Sequence, residues 1–155
     1  VVSLTAEYAL RAVIYLSAAN GEPRTVHQVA EATHVPPDYL SKVLQELSKH
    51  GLVRSQRGLY GGFTLLRDPA ELSVLEVVNA VSPLQRIKQC PLRGVNGRPE
   101  PEPELLCPLH QLLDDAVADM ERKFSDASIG SLLQAAAREN PFHMASPERK
   151  APVRR

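Results

Sequence analysis

The chain has 155 residues, 43% of them hydrophobic and 5% aromatic, enough for one compact core built mainly of Leu, Val and Ala. Eighteen Lys and Arg balance eighteen Asp and Glu; this net neutrality by itself weighs against nucleic-acid binding and makes the distribution of charge the informative quantity. No apolar run is long enough to cross a bilayer, and the stretch from Val1 to Ala9 lacks the basic region and apolar core of a signal peptide, so no membrane association and a cytoplasmic location are expected.

Residues 5–19, TAEYALRAVIYLSAA, read as a helix with Tyr8, Ala12, Tyr15 and Leu16 on one face, capped by Thr5 and closed by Asn20-Gly21. Glu22 to Arg24 reads as a turn. Thr25, followed three residues later by Gln28, is a capping box opening a short helix that runs to about Thr33, with Val26, Val29 and Ala30 inward. His34 to Pro37 is the next turn. Pro37 suits the first position of a third helix over 37–50, whose inner stripe is Leu40, Val43, Leu44 and Leu47.

The period then changes. Residues 52–57 and 63–66 read as strands joined by the turn Gly58-Leu59-Tyr60-Gly61-Gly62, a hairpin. Ser73 and Glu76 form a second capping box ahead of a short helix from Val74 to Val81, which Pro83 ends. Residues 88–106 hold two glycines and the alternating run Pro99 to Glu104, which suits a mobile loop. Residues 108–125 return to helix, about 27 Å long at 1.5 Å per residue, with Leu109, Leu112, Leu113, Ala116, Val117, Met120 and Phe124 in one stripe. Such a helix needs its stripe covered, and a second copy of the chain is an economical cover. A last short helix spans 128–138, and residues 140–155 suit a flexible tail.

A helix, two further short helices and a hairpin make the plan of a winged helix-turn-helix. The fold class expected is mainly α with a small β-hairpin wing, followed by a long dimerisation helix. The expected division is a winged helix DNA-binding unit over 1–82, a cysteine-bearing sensor loop over 83–107, the dimerisation and C-terminal helices over 108–139, and the tail over 140–155. Charge agrees: residues 1–67 carry seven Lys or Arg against five Asp or Glu, whereas 68–147 carry seven against twelve. In such a unit the third helix enters the major groove of double-stranded DNA. Tyr39, Ser41 and Lys42 lie early on it and suit phosphate contacts, Lys42 can also reach guanine, and Gln45 can pair with adenine. Arg54 and Arg57 put cationic side chains on the hairpin, where a narrow minor groove attracts arginine, and Gly61 and Gly62 let the wing approach closely. The glycine turn is no nucleotide loop, since no helix and no Gly-Lys-Ser/Thr follows it.

At this point the chain resembles the Rrf2-type transcriptional regulators, which include iron–sulfur and nitric-oxide-sensing repressors. The likeness runs over about residues 4–135, through LTAEYALRAVIYL at 4–16, HQVAEATHVPPDYLSKVLQELSKHGLVRSQRGLYGGFTLLRDP at 27–69 and LSVLEVVNAV at 72–81. The wing is its most specific part. The resemblance implies a homodimer on a near-palindromic operator, with Tyr39, Ser41 and Lys42 as helix contacts and Arg57, Gly61 and Gly62 as wing contacts. One departure is Pro36, which stands where the family often has a serine cap.

The resemblance also bears on the two cysteines, Cys90 and Cys107. Sensing members carry three cysteines in this region and hold a [2Fe–2S] or [4Fe–4S] cluster; the first and last match Cys90 and Cys107, and the middle one is absent. Some relatives add a Glu and a His from the first helix. Glu7 matches the Glu, but Arg11 stands at the His position. An iron–sulfur cluster, [2Fe–2S] before [4Fe–4S], would therefore draw on Cys90, Cys107, Glu7 and His110. A second reading is a thiol switch: Cys107 precedes a helix N-terminus, which favours a thiolate, and Cys90 would resolve it. A third is two inert cysteines in a cofactor-free regulator. Two rival functions stand beside regulation. One is a winged-helix module that binds proteins rather than DNA. The other is an enzyme, against which stand the absence of a Ser-His-Asp set, HExxH and CxxC.

Overall fold

The computed structural model describes residues 2–86 and 107–139. Among these described residues, six helices and a two-stranded hairpin follow in the order α1 (Leu4–Ala18), α2 (Val26–Thr33), α3 (Pro37–Lys49), β1 (Val53–Gln56), β2 (Gly62–Leu65), α4 (Val74–Val81), α5 (Pro108–Asp126) and α6 (Ile129–Glu139). The expected class, mainly α with a small antiparallel hairpin, is what the chain forms. The loop over 88–106 with Cys90, and the tail over 140–155, lie outside the described residues.

Local chemistry explains most element ends. α1 starts one residue earlier than expected, and Ser3 rather than Thr5 caps it, its Oγ accepting from the Ala6 N–H at 3.2 Å. Both expected capping boxes are present, Thr25 with Gln28 and Ser73 with Glu76. α2 ends on His34 in the left-handed conformation at φ 55°. α3 has Pro37 at its first turn and no side-chain cap from Pro36. β1 is one residue shorter than expected at each end, β2 keeps four residues but begins one residue earlier, at Gly62, and the two pair with Val53 opposite Leu65 and Gln56 opposite Gly62.

One core unites these elements. The inner stripe of α3, Leu40, Val43, Leu44 and Leu47, is buried as expected, against Val13 and Leu16 of α1, Val29 of α2 and Val77 and Val78 of α4. Burial of a Leu or Val side chain contributes roughly 1.5–3 kcal/mol, so this stripe holds α3 in place while leaving its other faces to solvent. On α1 the expected Ala12, Tyr15 and Leu16 are buried and Tyr8 packs against the core half-buried, and the buried face widens to take in Ala6, Ala9 and Val13, where the two alanines let neighbouring helices come close.

α5 joins the core only in part. Phe124 packs against it, and the corner after α5 is stitched to the segment before α4: Val74 N–H donates to the Ala127 carbonyl at 2.9 Å, and Ile129 N–H to the Leu72 carbonyl at 2.8 Å. Further along, Arg86 reaches from beyond α4 to both Asp114 and Glu121, its Nε donating to Asp114 at 2.7 Å and its Nη1 to Glu121 at 3.3 Å. The hydrogen bonds to Asp114 raise the guanidinium above its already high range. Of the rest of the stripe, Leu109, Leu112, Leu113 and Ala116 are exposed, and Val117 and Met120 are half-buried.

Candidate nucleic-acid interface

The site is built from α3 and the hairpin. Packing of Leu40, Val43, Leu44 and Leu47 inward turns Lys42 and Gln45 outward, and both are exposed. Ser41 is half-buried. Hydrogen bonds from Leu52 N–H to the Leu47 carbonyl at 3.0 Å and from Leu66 N–H to the Leu52 carbonyl at 2.9 Å tie the root of the hairpin to the end of α3. The two elements flank one open groove of about 360 Å³, lined by Gln45, Ser48 and Lys49 from α3 and by Ser55 and Phe63 from the strands. Arg54 and Arg57 are exposed on the hairpin.

Tyr39 has two roles to reconcile. It is 40% exposed, yet its hydroxyl shares a 2.6 Å hydrogen bond with the Thr5 hydroxyl, and its ring meets Tyr8 edge-on with centroids 5.4 Å apart. It therefore fixes the start of α3 to the start of α1.

The paired glycines have structural reasons for being glycine. Gly61 N–H donates to the Gly58 carbonyl at 2.9 Å and closes the turn; a Cβ on Gly61 would lie 2.3 Å from the Gln56 carbonyl oxygen. Gly62, at φ 153°, would carry a Cβ 2.6 Å from the Arg24 carbonyl oxygen. That closeness exists because Arg24, read from sequence as part of a turn, pairs with Phe63: Arg24 N–H donates to the Phe63 carbonyl at 3.0 Å and Phe63 N–H to the Arg24 carbonyl at 2.7 Å. Arg24 is the residue that sequence reasoning missed. Its one signal was the second glycine of the turn, which sequence assigned to close approach of the wing to DNA, since a single bridging residue has no period to detect.

The cysteine site is less complete. Cys107 is half-buried at the head of α5, where its Sγ accepts the His110 N–H at 3.3 Å. The His110 side chain is buried, 7% exposed. Glu7 and Arg11 form an i,i+4 ion pair at 3.9 Å, each about half exposed, and Arg11 lies over the Tyr8 ring. Among the described residues no three His, Cys, Asp or Glu side chains come together as a metal site. Also among the described residues, no helix is long and apolar enough to cross a membrane.

Comparison with known proteins agrees with this architecture. A protein of Aquifex aeolicus is 32% identical over 86 residues, which are 56% of this chain and 60% of its own length. The HTH-type transcriptional regulator NsrR of Geobacillus kaustophilus is 34% identical over 85 residues, 54% of this chain and 58% of that protein. The chain thus spans less than two thirds of the length of these curated relatives. Among solved structures, T. potens IscR superposes with a TM-score of 0.70 at 21% identity, over 92% of this chain and 91% of that one, a likeness of fold. Residues 2–135 match the Rrf2 family, described as an iron-dependent transcriptional regulator. The chain belongs to the Rrf2 family of winged-helix transcriptional regulators.

Proposed function

We propose that this chain is a DNA-binding transcriptional regulator that works as a homodimer on double-stranded operator DNA. The observation that carries the reading is the groove between α3 and the hairpin, lined by Gln45, Ser48, Lys49, Ser55 and Phe63, together with Lys42, Arg54 and Arg57 exposed on the same two elements. α3 enters the major groove and the hairpin reaches the adjacent minor groove. Ser41 and Tyr39 contact phosphate, and Gly61 and Gly62 bring the wing backbone close. Dimerisation through α5 is supported by Leu109, Leu112 and Leu113, the last two 66% and 38% exposed on one helix. The division into units at 1–82, 83–107 and 108–139 follows from these roles.

The finer reading places the response to a signal at Cys90 and Cys107. The described residues do not make up a cluster ligand set: Cys107 caps α5, Glu7 is engaged with Arg11, and no three ligating side chains converge. The Cys107 geometry favours a thiol response. Its sulfur accepts an N–H at the positive end of a helix, where a thiolate is stabilised. With a peroxide as oxidant, the Cys107 thiolate attacks one peroxide oxygen and the O–O bond breaks. The leaving oxygen takes a proton, departing as water or alcohol. Cys90 then displaces hydroxide from the sulfenic acid as water, and a disulfide forms.

The test starts with duplexes selected by the full chain from a random-sequence pool. Lys42→Ala and Arg57→Ala should each weaken binding and lower the slope of log affinity against log salt by about one contact. Unchanged affinity and slope in both would refute the contact surface. For the cysteines, anaerobic purification with iron and sulfide analysis is decisive. Matched iron and sulfide would replace the thiol reading with a cluster, whereas a colourless protein that loses two thiols to peroxide would support it.

A further inference from the structure

The turn of the hairpin carries two large apolar side chains that the fold does not use. Gly58 to Gly61 form a tight turn closed by the Gly61 N–H bond to the Gly58 carbonyl. Leu59 and Tyr60 occupy its two corners and are 92% and 84% exposed. Turn corners ordinarily take Gly, Asn, Asp, Ser or Pro, each for a conformational or hydrogen-bonding reason. Leu and Tyr offer neither. The left-handed conformation in this turn falls on Gly58, at φ 113°, so the corners themselves are unstrained. Nothing local therefore calls for apolar residues there, and leaving them in water forgoes the stabilisation that burial brings.

The surroundings indicate what covers them. The tip is flanked by Arg57, with Arg54 further down β1, and the hairpin stands beside the groove that it shares with Gln45 and Lys49 of α3. A cationic approach with an apolar point matches a polyanion whose grooves have apolar walls. Deoxyribose rings line the minor groove, and apolar side chains inserted there are a known means of contact. We propose that Leu59 and Tyr60 are minor-groove contact residues that pack on the sugar walls and base edges of duplex DNA beside the half-site read by α3. They supply a salt-insensitive share of the affinity, complementary to the ionic share of Arg57. This rests on the DNA-binding reading above and adds to it the part of the surface that charge alone does not identify.

Salt dependence separates the two contributions, because only neutralised phosphates release counterions. Duplexes selected by the full chain from a random pool are titrated with wild type, the double variant Leu59→Ser/Tyr60→Ser and Arg57→Ala over a range of salt. Both corner residues are exposed, so circular dichroism of the double variant should match wild type. The double variant should bind roughly tenfold more weakly at every salt with an unchanged slope. Arg57→Ala should reduce the slope. Hydroxyl-radical footprints should lose minor-groove protection at the half-site flanks in the double variant alone. If the double variant binds within twofold of wild type with the same footprint, the tip contact is overturned while DNA binding stands. A change in oligomeric state without a change in DNA affinity overturns it in favour of a protein partner. If the wild type selects no duplex, both readings fall.

Discussion

Tyr39, near the start of α3, and Thr5, near the start of α1, lie 34 residues apart in sequence and share a 2.6 Å hydrogen bond between their hydroxyls. Two helix beginnings are thereby held together outside the hydrophobic core. Thr5→Val keeps the shape and β-branching and removes only the hydroxyl. It should lower unfolding free energy by about 0.5–1 kcal/mol, measured by urea titration, and leave DNA affinity nearly unchanged. Tyr39→Phe keeps the edge-on contact with Tyr8 and should cost the same stability. If Tyr39 also donates to phosphate, this variant alone weakens DNA binding.

Two glycines of the wing separate close approach from backbone freedom. Gly58→Ala places its methyl in open space but keeps φ at 113°, so the cost is conformational, about 1–2 kcal/mol. Gly62→Ala meets the backbone of Arg24 on several atoms, 2.6 Å from its carbonyl oxygen and 2.9 Å from its nitrogen. Backbone cannot swing aside as a side chain does. The loss should exceed that of Gly58→Ala by at least about 1 kcal/mol, and the Arg24 and Phe63 amides should lose hydrogen-exchange protection. Equal losses in the two variants would contradict the docking of the hairpin on Arg24.

These two relationships show where the sequence was legible. Capping boxes at Thr25 and Ser73, the stripe Leu40–Val43–Leu44–Leu47 and the outward Lys42 and Gln45 follow from spacing within one element, and each is found as expected. The Arg24–Phe63 bridge and the Tyr39–Thr5 bond are pairings between single residues far apart in sequence, which leave no periodic trace. The α5 stripe was readable, but its division was not: Phe124 meets the core while Leu112 faces solvent, because the α5–α6 corner is anchored by backbone bonds that any sequence can make. The two cysteines were legible only as residue types that suit a cluster, a thiol switch or neither, because the placement that would separate these involves Cys90, which lies outside the described residues.

Glu76 gives the α4 capping box an acid-sensitive part. The Ser73 backbone N–H donates to its carboxylate at 2.9 Å and, against the opposing effect of burial, holds it below its ordinary value of 4.5, with the Ser73 hydroxyl and Arg67 assisting. A carboxylate depressed in the folded state stabilises fully above its ordinary value. That contribution disappears as pH falls through the lower folded-state value. Wild type should therefore lose more stability than Glu76→Gln on acidification across this range, since Gln completes the same box without titrating. Parallel acid limbs would show that the charge contributes nothing. Ser73→Ala should cost about 1 kcal/mol at neutral pH.

Arg86 joins the exit of α4 to two acidic residues on one face of α5, about two turns apart, Asp114 and Glu121. The pairing is solvent-exposed, so ions should screen it. Hydrogen exchange over Leu109–Glu121 should quicken in Arg86→Gln. It should also quicken in wild type between about 0.01 M and about 1 M salt, where the screening length falls from roughly 30 to 3 Å. The variant itself should show little salt response. Identical exchange in all four conditions would mean that packing alone positions α5.

The backbone stitching at Ala127 and Ile129 makes α5 a lever with its fulcrum at the C-terminal end. Nineteen residues give it an arm of about 28 Å. A sideways step of about 3 Å at the Cys107 end is a rotation of roughly 6° about that fulcrum. The same step near Asp126 would have almost no arm and would have to tear the corner from Leu72 and Val74. Cys107, the cap just ahead of α5, is thus where a given force exerts the largest torque about that corner.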